Sequence, residues 1–238
     1  VVRALRRARI GFLGHTYPGM LDMYSDFTLL RFGISASRIM VIPPGTDTKK
    51  FHPDFSQKGE KLIVHVGRLK RYKSTDHLLW AAKLLKEKRK DFRVMVLGDG
   101  DDLPRLKELS TKLGLDDIVT FTGYVPESEK VLAYQRAALL VENSIKEGWG
   151  LIVMEANACG TPAIASRVPG LVDSVLENKT GLFYEYGNIK ELAQKIELLL
   201  DDENLRNRLG QNGVEWANRL TWDKSANMML DAIQQALG

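Results

Sequence analysis

The sequence predicts an α/β protein built on a doubly wound parallel sheet of about six strands. Three observations indicate this fold class. From residue 61 onward, short apolar runs alternate with segments of helical length. The apolar runs are nearly continuous, as expected for strands that helices cover on both faces. The loops that follow these runs contain glycine, which lets a backbone approach a ligand closely.

The predicted elements alternate along the chain. The strands are Leu62–Val66, Arg93–Leu97, Ile118–Phe121, Ala138–Glu142, Ala163–Ser166 and Leu182–Tyr184. The helices between and after them are Thr75–Lys88, Leu103–Leu113, Glu127–Arg136, Leu151–Cys159 and Leu171–Glu177. Ligands of an open parallel sheet bind beyond the carboxyl ends of the strands. We therefore expect the functional site in the loops that follow each strand.

The C-terminal part of the chain has a different pattern. Three helices are predicted in succession without strands, over Ile189–Leu200, Glu203–Arg219 and Asp223–Leu237. In the first of them, apolar residues recur at spacings of four and three, which places them on one face. These helices are expected either to cap the sheet or to bridge to another domain.

Composition narrows the function classes. The 238 residues carry a net charge of +4, and the basic residues are scattered, so we expect no nucleic-acid partner. A single cysteine, Cys159, excludes an intrachain disulfide and lies in an apolar run typical of a buried core position. The sequence shows neither a secretory signal nor an apolar run of about 18 residues. A cytoplasmic location is expected, with peripheral membrane contact left open.

Two cations follow the first predicted strand. Arg68 comes directly after Gly67, and Lys73 lies five residues further on. An arginine fork and a lysine ammonium on one strand-to-helix loop suit the oxygens of a diphosphate. Two exposed surface cations would give the same spacing, so both interpretations stay open.

A second loop combines carboxylates with glycines. Glu147, Gly148, Trp149 and Gly150 precede a helix that begins near Leu151. The free N–H groups at such a helix start can face an anion or a sugar hydroxyl.

Glu155 lies on the same helix, which is otherwise apolar. A carboxylate in that position needs a partner, and a vicinal ribose diol would supply two hydrogen-bond donors. The alternatives are a salt bridge to a nearby cation for Glu155 and an interaction with the helix dipole for Glu147.

Other motifs are less specific. Gly98-Asp99-Gly100 is too short for a dinucleotide fingerprint, and a tight turn explains it equally well. Val168-Pro169-Gly170 precedes a helix and could add backbone donors. The four histidines are widely spaced, so we expect no metal site.

Taken together, these loops resemble family 4 of the retaining glycosyltransferases, which have the two-domain GT-B fold. The similarity runs from about Phe32 to Leu237. It includes Val41 to Asp47, Val66 to Leu69, Leu97 to Gly100 and Phe121 to Val125, and it is most specific from Glu147 to Pro162. Three positions depart from the family pattern: Ser74, Pro44 and Asn143.

The resemblance implies a Rossmann-like domain, one half of a GT-B fold, that holds a UDP-, GDP- or ADP-linked sugar for transfer with retention. It implies no cofactor and no metal. Arg68 and Lys73 would bind the diphosphate, Glu147 would face the sugar, and Glu155 would bind the ribose. The remaining implied donor contacts are made by Gly148, Trp149, Gly150 and Leu151 at the sugar, by Tyr124 and Val125 at the base, and by Gly98.

The N-terminal residues do not fit this family. Residues 9–28 resemble a short stretch of the arabinose/fucose isomerase family, so residues 1–31 are interpreted as a fused fragment or junction and residues 32–238 as the donor domain. The family also has an N-terminal acceptor domain, for which the residues before the match are too few. The chain alone is therefore expected to transfer sugar slowly or not at all.

Alternatives to a transferase half remain open. One is a non-catalytic module that binds a nucleotide sugar, and a remote one is a sugar isomerase fragment. The acceptor could be a glycan, a lipid or a small molecule. Pairing with an N-terminal acceptor domain or self-association is also open, because an uncovered interdomain surface would expose apolar area.

Overall fold

The computed structural model describes residues 40–237, with side chains to residue 235. Within this range, six strands form one sheet: β1 (Leu62–Val66), β2 (Arg93–Leu97), β3 (Val119–Gly123), β4 (Leu139–Glu142), β5 (Ala163–Ser166) and β6 (Gly181–Tyr184). The same residues contain eight α-helices: α1 (Thr75–Lys86), α2 (Leu103–Lys112), α3 (Glu127–Arg136), α4 (Leu151–Ala158), α5 (Leu171–Ser174), α6 (Ile189–Asp201), α7 (Glu203–Arg219) and α8 (Trp222–Leu237). The segment interpreted as a fused fragment, residues 1–31, lies outside the described residues.

The sheet confirms the predicted fold class. Its strand order is β3-β2-β1-β4-β5-β6, and every pairing is parallel. The chain runs outward from β1 to β3 and then returns to the other side of β1. The order therefore reverses between β1 and β4, the point at which open parallel sheets form a crevice at the carboxyl ends of their strands.

Side-chain alternation along the strands produces two cores. On β1, Ile63 faces a core built with α1, α2 and α6, whereas Leu62 and Val64 face a core built with α3, α4, α5 and α7. Every residue of β1 is buried because helices cover both faces of the sheet, which explains the continuous apolar run of this strand in the sequence. Cys159 is fully buried in the second core, as predicted.

The predicted element boundaries differ from the structure by at most three residues. The helix predicted over Leu171–Glu177 ends at Ser174, because Val175 already has extended backbone angles. The third strand begins at Val119 and continues to Gly123, beyond the predicted Ile118–Phe121. The other elements agree with the predictions to within two residues.

The C-terminal helices divide into two roles. Helices α6 and α7 cap the sheet, with Leu192, Ile196 and Leu199 fully buried against the first core and α7 packed on α4. Helix α8 contacts the start of the described chain, where Ser225 Oγ donates to the Pro43 carbonyl at 2.7 Å. No side chain of α8 between residues 222 and 235 is buried. None of the helices in the described range is long and apolar enough to cross a membrane.

Candidate functional site

The loops after β1 and β4 lie side by side where the strand order reverses. The first spans residues 67–74 and the second residues 143–150. A backbone hydrogen bond joins them, because Ile145 N donates to the Tyr72 carbonyl at 2.9 Å. The fold therefore brings together the two loops that the sequence singled out.

The loops after β1, β2 and β3 are also joined through their backbones. Leu69 N donates to the Asp99 carbonyl at 2.9 Å, and Gly98 N donates to the Gly123 carbonyl at 2.8 Å. Gly98 has φ of 130°, and a Cβ there would lie 1.9 Å from the Gly67 carbonyl oxygen. Glycine is required at this position for close approach between two loops, so packing accounts for Gly98 without any ligand contact.

Lys73 is buried at the centre of the crevice. It ends a short 3₁₀ turn, Arg71–Lys73, and its Nζ forms an ion pair with Glu147 Oε1. Burial alone would lower the pKa of Lys73, but the charges of Glu142 and Glu147 outweigh burial and raise that pKa above its ordinary value. Lys73 is therefore a cation in this arrangement.

A buried carboxylate that the sequence analysis did not identify lies beside this pair. Glu142, the last residue of β4, is fully buried, and its Oε1 lies 3.8 Å from Lys73 Nζ. The same oxygen accepts hydrogen bonds from the backbone N–H and the hydroxyl of Ser144. Ser144 Oγ also lies 2.8 Å from Glu147 Oε1, so both carboxylates are linked through this hydroxyl.

Glu155 lies in a separate polar cluster on the second face of the sheet. Its Oε2 is 2.9 Å from Lys130 Nζ and accepts a hydrogen bond from the Tyr134 hydroxyl at 3.0 Å. Burial raises the pKa of Glu155, although the charge of Lys130 opposes that rise. The salt bridge considered as an alternative is therefore present, and it leaves the ribose role of Glu155 as a prediction.

The other predicted contacts occupy different environments. Arg68 is exposed, and its Nη2 lies 3.4 Å from the Tyr72 hydroxyl. Tyr124 is 83% exposed after β3, whereas Val125 packs against the second core. Trp149 also packs there, and its Nε1 is buried with no hydrogen-bond partner among the described residues.

Helix α4 starts at the predicted place. Gly150 caps it with φ of 85°, and Leu151 is its first residue. Gly170 touches the loop before α4, because a Cβ there would lie 2.1 Å from the Glu147 carbonyl oxygen. The segment Val168 to Gly170 thus supports the loop that carries Glu147 and Gly148. Ser74 adopts a left-handed conformation with φ of 48°, which glycine adopts more readily than serine.

Three partners of the predicted residues were missed: Lys130, Tyr134 and Glu142. The sequence does contain a signal for each. Lys130 and Tyr134 lie four residues apart on α3 and so share a face of that helix. Glu142 ends an apolar strand, where a carboxylate needs a partner as much as one on an apolar helix does.

The crevice offers one buried cation, two carboxylates and an exposed arginine at its rim. Such a set can bind an anionic group at Lys73 and Arg68 while a carboxylate accepts hydrogen bonds from neighbouring hydroxyls. The charges of Lys73, Glu142 and Glu147 sum to minus one. An anion that entered this site would therefore compete with Glu147 for the Lys73 ammonium.

Comparison with known proteins assigns this architecture. A protein 33% identical over 214 residues is the D-inositol 3-phosphate glycosyltransferase of Corynebacterium urealyticum; the match covers 82% of this chain and 50% of the relative. The chain thus spans about half the length of the curated relatives it matches.

Two solved structures have a similar fold. Sucrose-phosphate synthase from Thermosynechococcus elongatus is 30% identical with a TM-score of 0.77, over 87% of this chain and 55% of that one. The Anabaena protein HepE in complex with UDP is 21% identical with a TM-score of 0.79, over 89% of this chain and 61% of that one. The second likeness concerns the fold alone.

The family model described as "Glycosyl transferases group 1" matches residues 47–216. The matched residues contain the whole sheet and both loops of the crevice. Residues 9–28, for which the sequence analysis predicts a resemblance to an isomerase, lie outside both this match and the described residues, so that resemblance stays a prediction. The architecture is one Rossmann-like half of a GT-B fold, and the chain belongs to the family of group 1 glycosyl transferases.

Proposed function

We propose that this chain is the donor-binding half of a retaining glycosyltransferase and that it binds a nucleotide-diphosphate sugar in the crevice between β1 and β4. One observation carries the proposal. The fold places Lys73 and Glu147, which are 74 residues apart in sequence, in contact at the point where the strand order reverses. Open parallel sheets bind nucleotides at this point.

The residues divide the donor among them. Lys73 and Arg68 hold the diphosphate and balance its charge as the bond to the sugar breaks, without a metal or a cofactor. Glu147 faces the sugar, and the backbone N–H groups from Gly148 to Leu151 meet its hydroxyls at the start of α4. Glu155 accepts from the ribose diol. The base lies against Tyr124 and Val125, and Gly98 makes a further contact with the donor.

Donor binding redistributes the ion pairs of the crevice. Lys73 turns part of its hydrogen bonding from Glu147 to the phosphate oxygens. Glu147 is thereby released to accept from a sugar hydroxyl. The exchange is favourable because a diphosphate carries more negative charge than one carboxylate and offers several acceptor oxygens. The same redistribution couples occupancy of the phosphate site to the orientation of the carboxylate at the sugar.

The comparisons support this proposal. The Corynebacterium urealyticum relative is a glycosyltransferase by its name, and the HepE structure holds UDP. UDP is therefore the first nucleotide to test, beside GDP and ADP. The acceptor, whether glycan, lipid or small molecule, is selected by an N-terminal acceptor domain in our proposal. We propose a cytoplasmic location for the protein.

Calorimetric titration tests the donor site. UDP, GDP and ADP are titrated into wild type, Glu155→Gln and the control Glu60→Gln, whose glutamate is exposed and pairs with Arg136. We expect micromolar binding of one nucleotide, weakened about tenfold or more by Glu155→Gln and unchanged by Glu60→Gln. No binding of any nucleotide to the folded wild type would reject the proposed site.

A non-catalytic module that binds a nucleotide sugar is the second candidate. It is favoured by the observation that both predicted donor carboxylates, Glu147 and Glu155, are already paired with lysines of the chain. Donor turnover is measured with an acceptor domain supplied in trans, and the anomeric configuration of the product is read by NMR. Transfer with retention supports the enzyme. Tight donor binding without transfer or donor hydrolysis supports the binding module.

A further inference from the structure

Glu142 has a role that the donor contacts do not explain. Its carboxylate is fully buried at the end of a strand, where an ionised group is costly. Oε1 is satisfied by Ser144, but Oε2 is buried and has no hydrogen-bond partner among the described residues. An amide or a leucine would fit the strand at lower cost, so the negative charge itself needs an explanation.

That explanation is the neighbouring cation. Lys73 Nζ lies 3.8 Å from Glu142 Oε1, and the lysine side chain is only 10% exposed. Two unit charges at about 4 Å interact strongly where water is scarce. Glu147 also pairs with Lys73, but under the proposed function Glu147 turns to the sugar when the donor binds.

We propose that Glu142 is a positioning residue: it holds the ammonium of Lys73 charged and in place for the donor diphosphate while Glu147 exchanges its lysine contact for the sugar. This inference rests on the proposed function. Glu142 touches no donor atom in this scheme and acts through Lys73. The two carboxylates of the donor site then have separate roles: Glu142 interacts with Lys73, and Glu147 interacts with the sugar.

The groups that face Lys73 come from β4 and the loop after it, from the turn that contains Lys73 itself, and from β1. Glu142 lies on β4 and Glu147 on the loop that follows it. Tyr72 precedes Lys73, whose Nζ lies 5.7 Å from the centre of the Tyr72 ring. His65 on β1 is fully buried between the Val141 carbonyl at 2.9 Å and the Thr75 hydroxyl at 3.0 Å, and burial lowers its pKa. His65 is therefore neutral at pH 7, and the two glutamates supply the charge that acts on the lysine.

Glu142→Gln is the sharpest test, because glutamine keeps an oxygen for the Ser144 N–H and removes only the charge. The pKa of Lys73 is measured by NMR of 13Cε-labelled lysine in wild type, in Glu142→Gln and in the control Glu60→Gln. The measurement needs no nucleotide. We expect a wild-type pKa above the ordinary lysine value, a lower pKa in Glu142→Gln and an unchanged one in Glu60→Gln.

UDP affinity is then followed from pH 7 to pH 9.5. At pH 7, Glu142→Gln should bind UDP at least as tightly as wild type, because an anion near the phosphates is gone. Above the lowered pKa of Lys73, its affinity should fall about tenfold per pH unit relative to wild type. Glu142→Asp, which keeps the charge, should restore the wild-type profile.

The outcomes separate the two proposals. Equal Lys73 pKa values in wild type and Glu142→Gln, or a constant ratio of UDP affinities across the pH range, would overturn the role of Glu142 and leave the donor site standing. Absence of UDP, GDP and ADP binding in wild type would overturn the donor site and with it this role. If Glu142→Gln does not fold, a wild-type Lys73 pKa at or below the ordinary value overturns the inference.

Discussion

Lys130 and Glu155 form an ion pair between helices α3 and α4, with Lys130 Nζ 2.9 Å from Glu155 Oε2. Both side chains are largely buried, at 20% and 18% exposure. The Lys130 ammonium also lies 4.9 Å from the centre of the Phe51 ring. A carboxylate that was predicted to need a partner is therefore already paired within the protein, and under the proposed function a ribose would join this pair.

The ion pair predicts a stability change. Lys130→Met should lower the free energy of unfolding by about 1–3 kcal/mol at pH 7, because it leaves the buried Glu155 carboxylate without its cation. The folded state already holds the Glu155 proton more tightly than the unfolded state, since burial raises that pKa above 4.5. The loss should therefore shrink as pH falls toward 4.

Urea unfolding at pH 7 and pH 4.5 measures this change. The control is Lys50→Met, whose lysine pairs with Glu127 on the surface. Equal losses for both variants, or a loss that grows on acidification, would contradict the assignment.

Loss of the Glu147 charge should have opposite effects on UDP binding and on sugar transfer. Glu147→Gln removes the anion that competes with a diphosphate for Lys73, so UDP should bind as tightly as in wild type or a few-fold more tightly. Transfer by the intact enzyme should nevertheless fall by about 10²–10³, as for loss of one group at the reacting centre. Calorimetry and transfer rates measure the two effects. Weaker UDP binding by Glu147→Gln would show that the carboxylate, rather than Lys73 alone, contributes to nucleotide binding.

Gly98 should tolerate no side chain. The substitution Gly98→Ala would place a Cβ 1.9 Å from the Gly67 carbonyl oxygen, at a position where the backbone has φ of 130°. We expect the free energy of unfolding to fall by about 2–4 kcal/mol. The backbone at Gly67 would have to move away from the new methyl group, and residue 98 would also keep a strained φ angle. Gly114→Ala is the matched control, because Gly114 has φ of 66° with no atom within 4 Å of its Cβ position. Its loss should be about 1 kcal/mol. Similar losses would refute the close approach of the two loops.

Burial of Lys58 predicts that its contribution to the free energy of unfolding increases as pH rises above about 8. Its Nζ donates to the carbonyls of Tyr134 and Ala137 and to the Thr161 hydroxyl, and burial lowers its pKa to about 8. Between pH 8 and the ordinary value of 10.5, the unfolded chain binds the proton that the folded chain has lost. The contribution of Lys58 to stability therefore increases with pH, by up to about 1.4 kcal/mol per unit.

Chemical denaturation at pH 7, 8 and 9 measures this contribution as the difference between wild type and Lys58→Met. That difference should grow between pH 8 and pH 9. Lys88→Met, at an exposed position, should change nothing. A difference that is constant with pH would show that Lys58 keeps its ordinary pKa in the fold.

The fold was predictable because its signals are local. The strand Leu62–Val66 and the helix Glu127–Arg136 agree with the structure to the residue, since apolar periodicity and element length follow from burial on one or two faces. The length of the short helix that ends at Ser174 was overestimated, because tertiary packing determines where a helix of a single turn ends. The site loops were found from glycine and charge in the segments after each strand.

The partners of the site residues could not be found in this way. Lys73 and Glu147 are paired although they lie 74 positions apart in sequence. The residues that flank each of them in sequence do not indicate the other as its partner. Glu142 ends an apolar strand, which indicates that its carboxylate needs a partner, but the identity of that partner is visible only when β4 lies beside β1.

The sequence by itself determined the doubly wound sheet, the positions of its loops and the set of charged residues at their tips. It did so because hydrophobic periodicity and glycine act within a few residues of chain. Only the tertiary structure decided which charges meet: Glu155 with Lys130, and Lys73 with both Glu147 and Glu142. Charge pairing depends on distance and burial in space, and the reversal of strand order between β1 and β4 sets both.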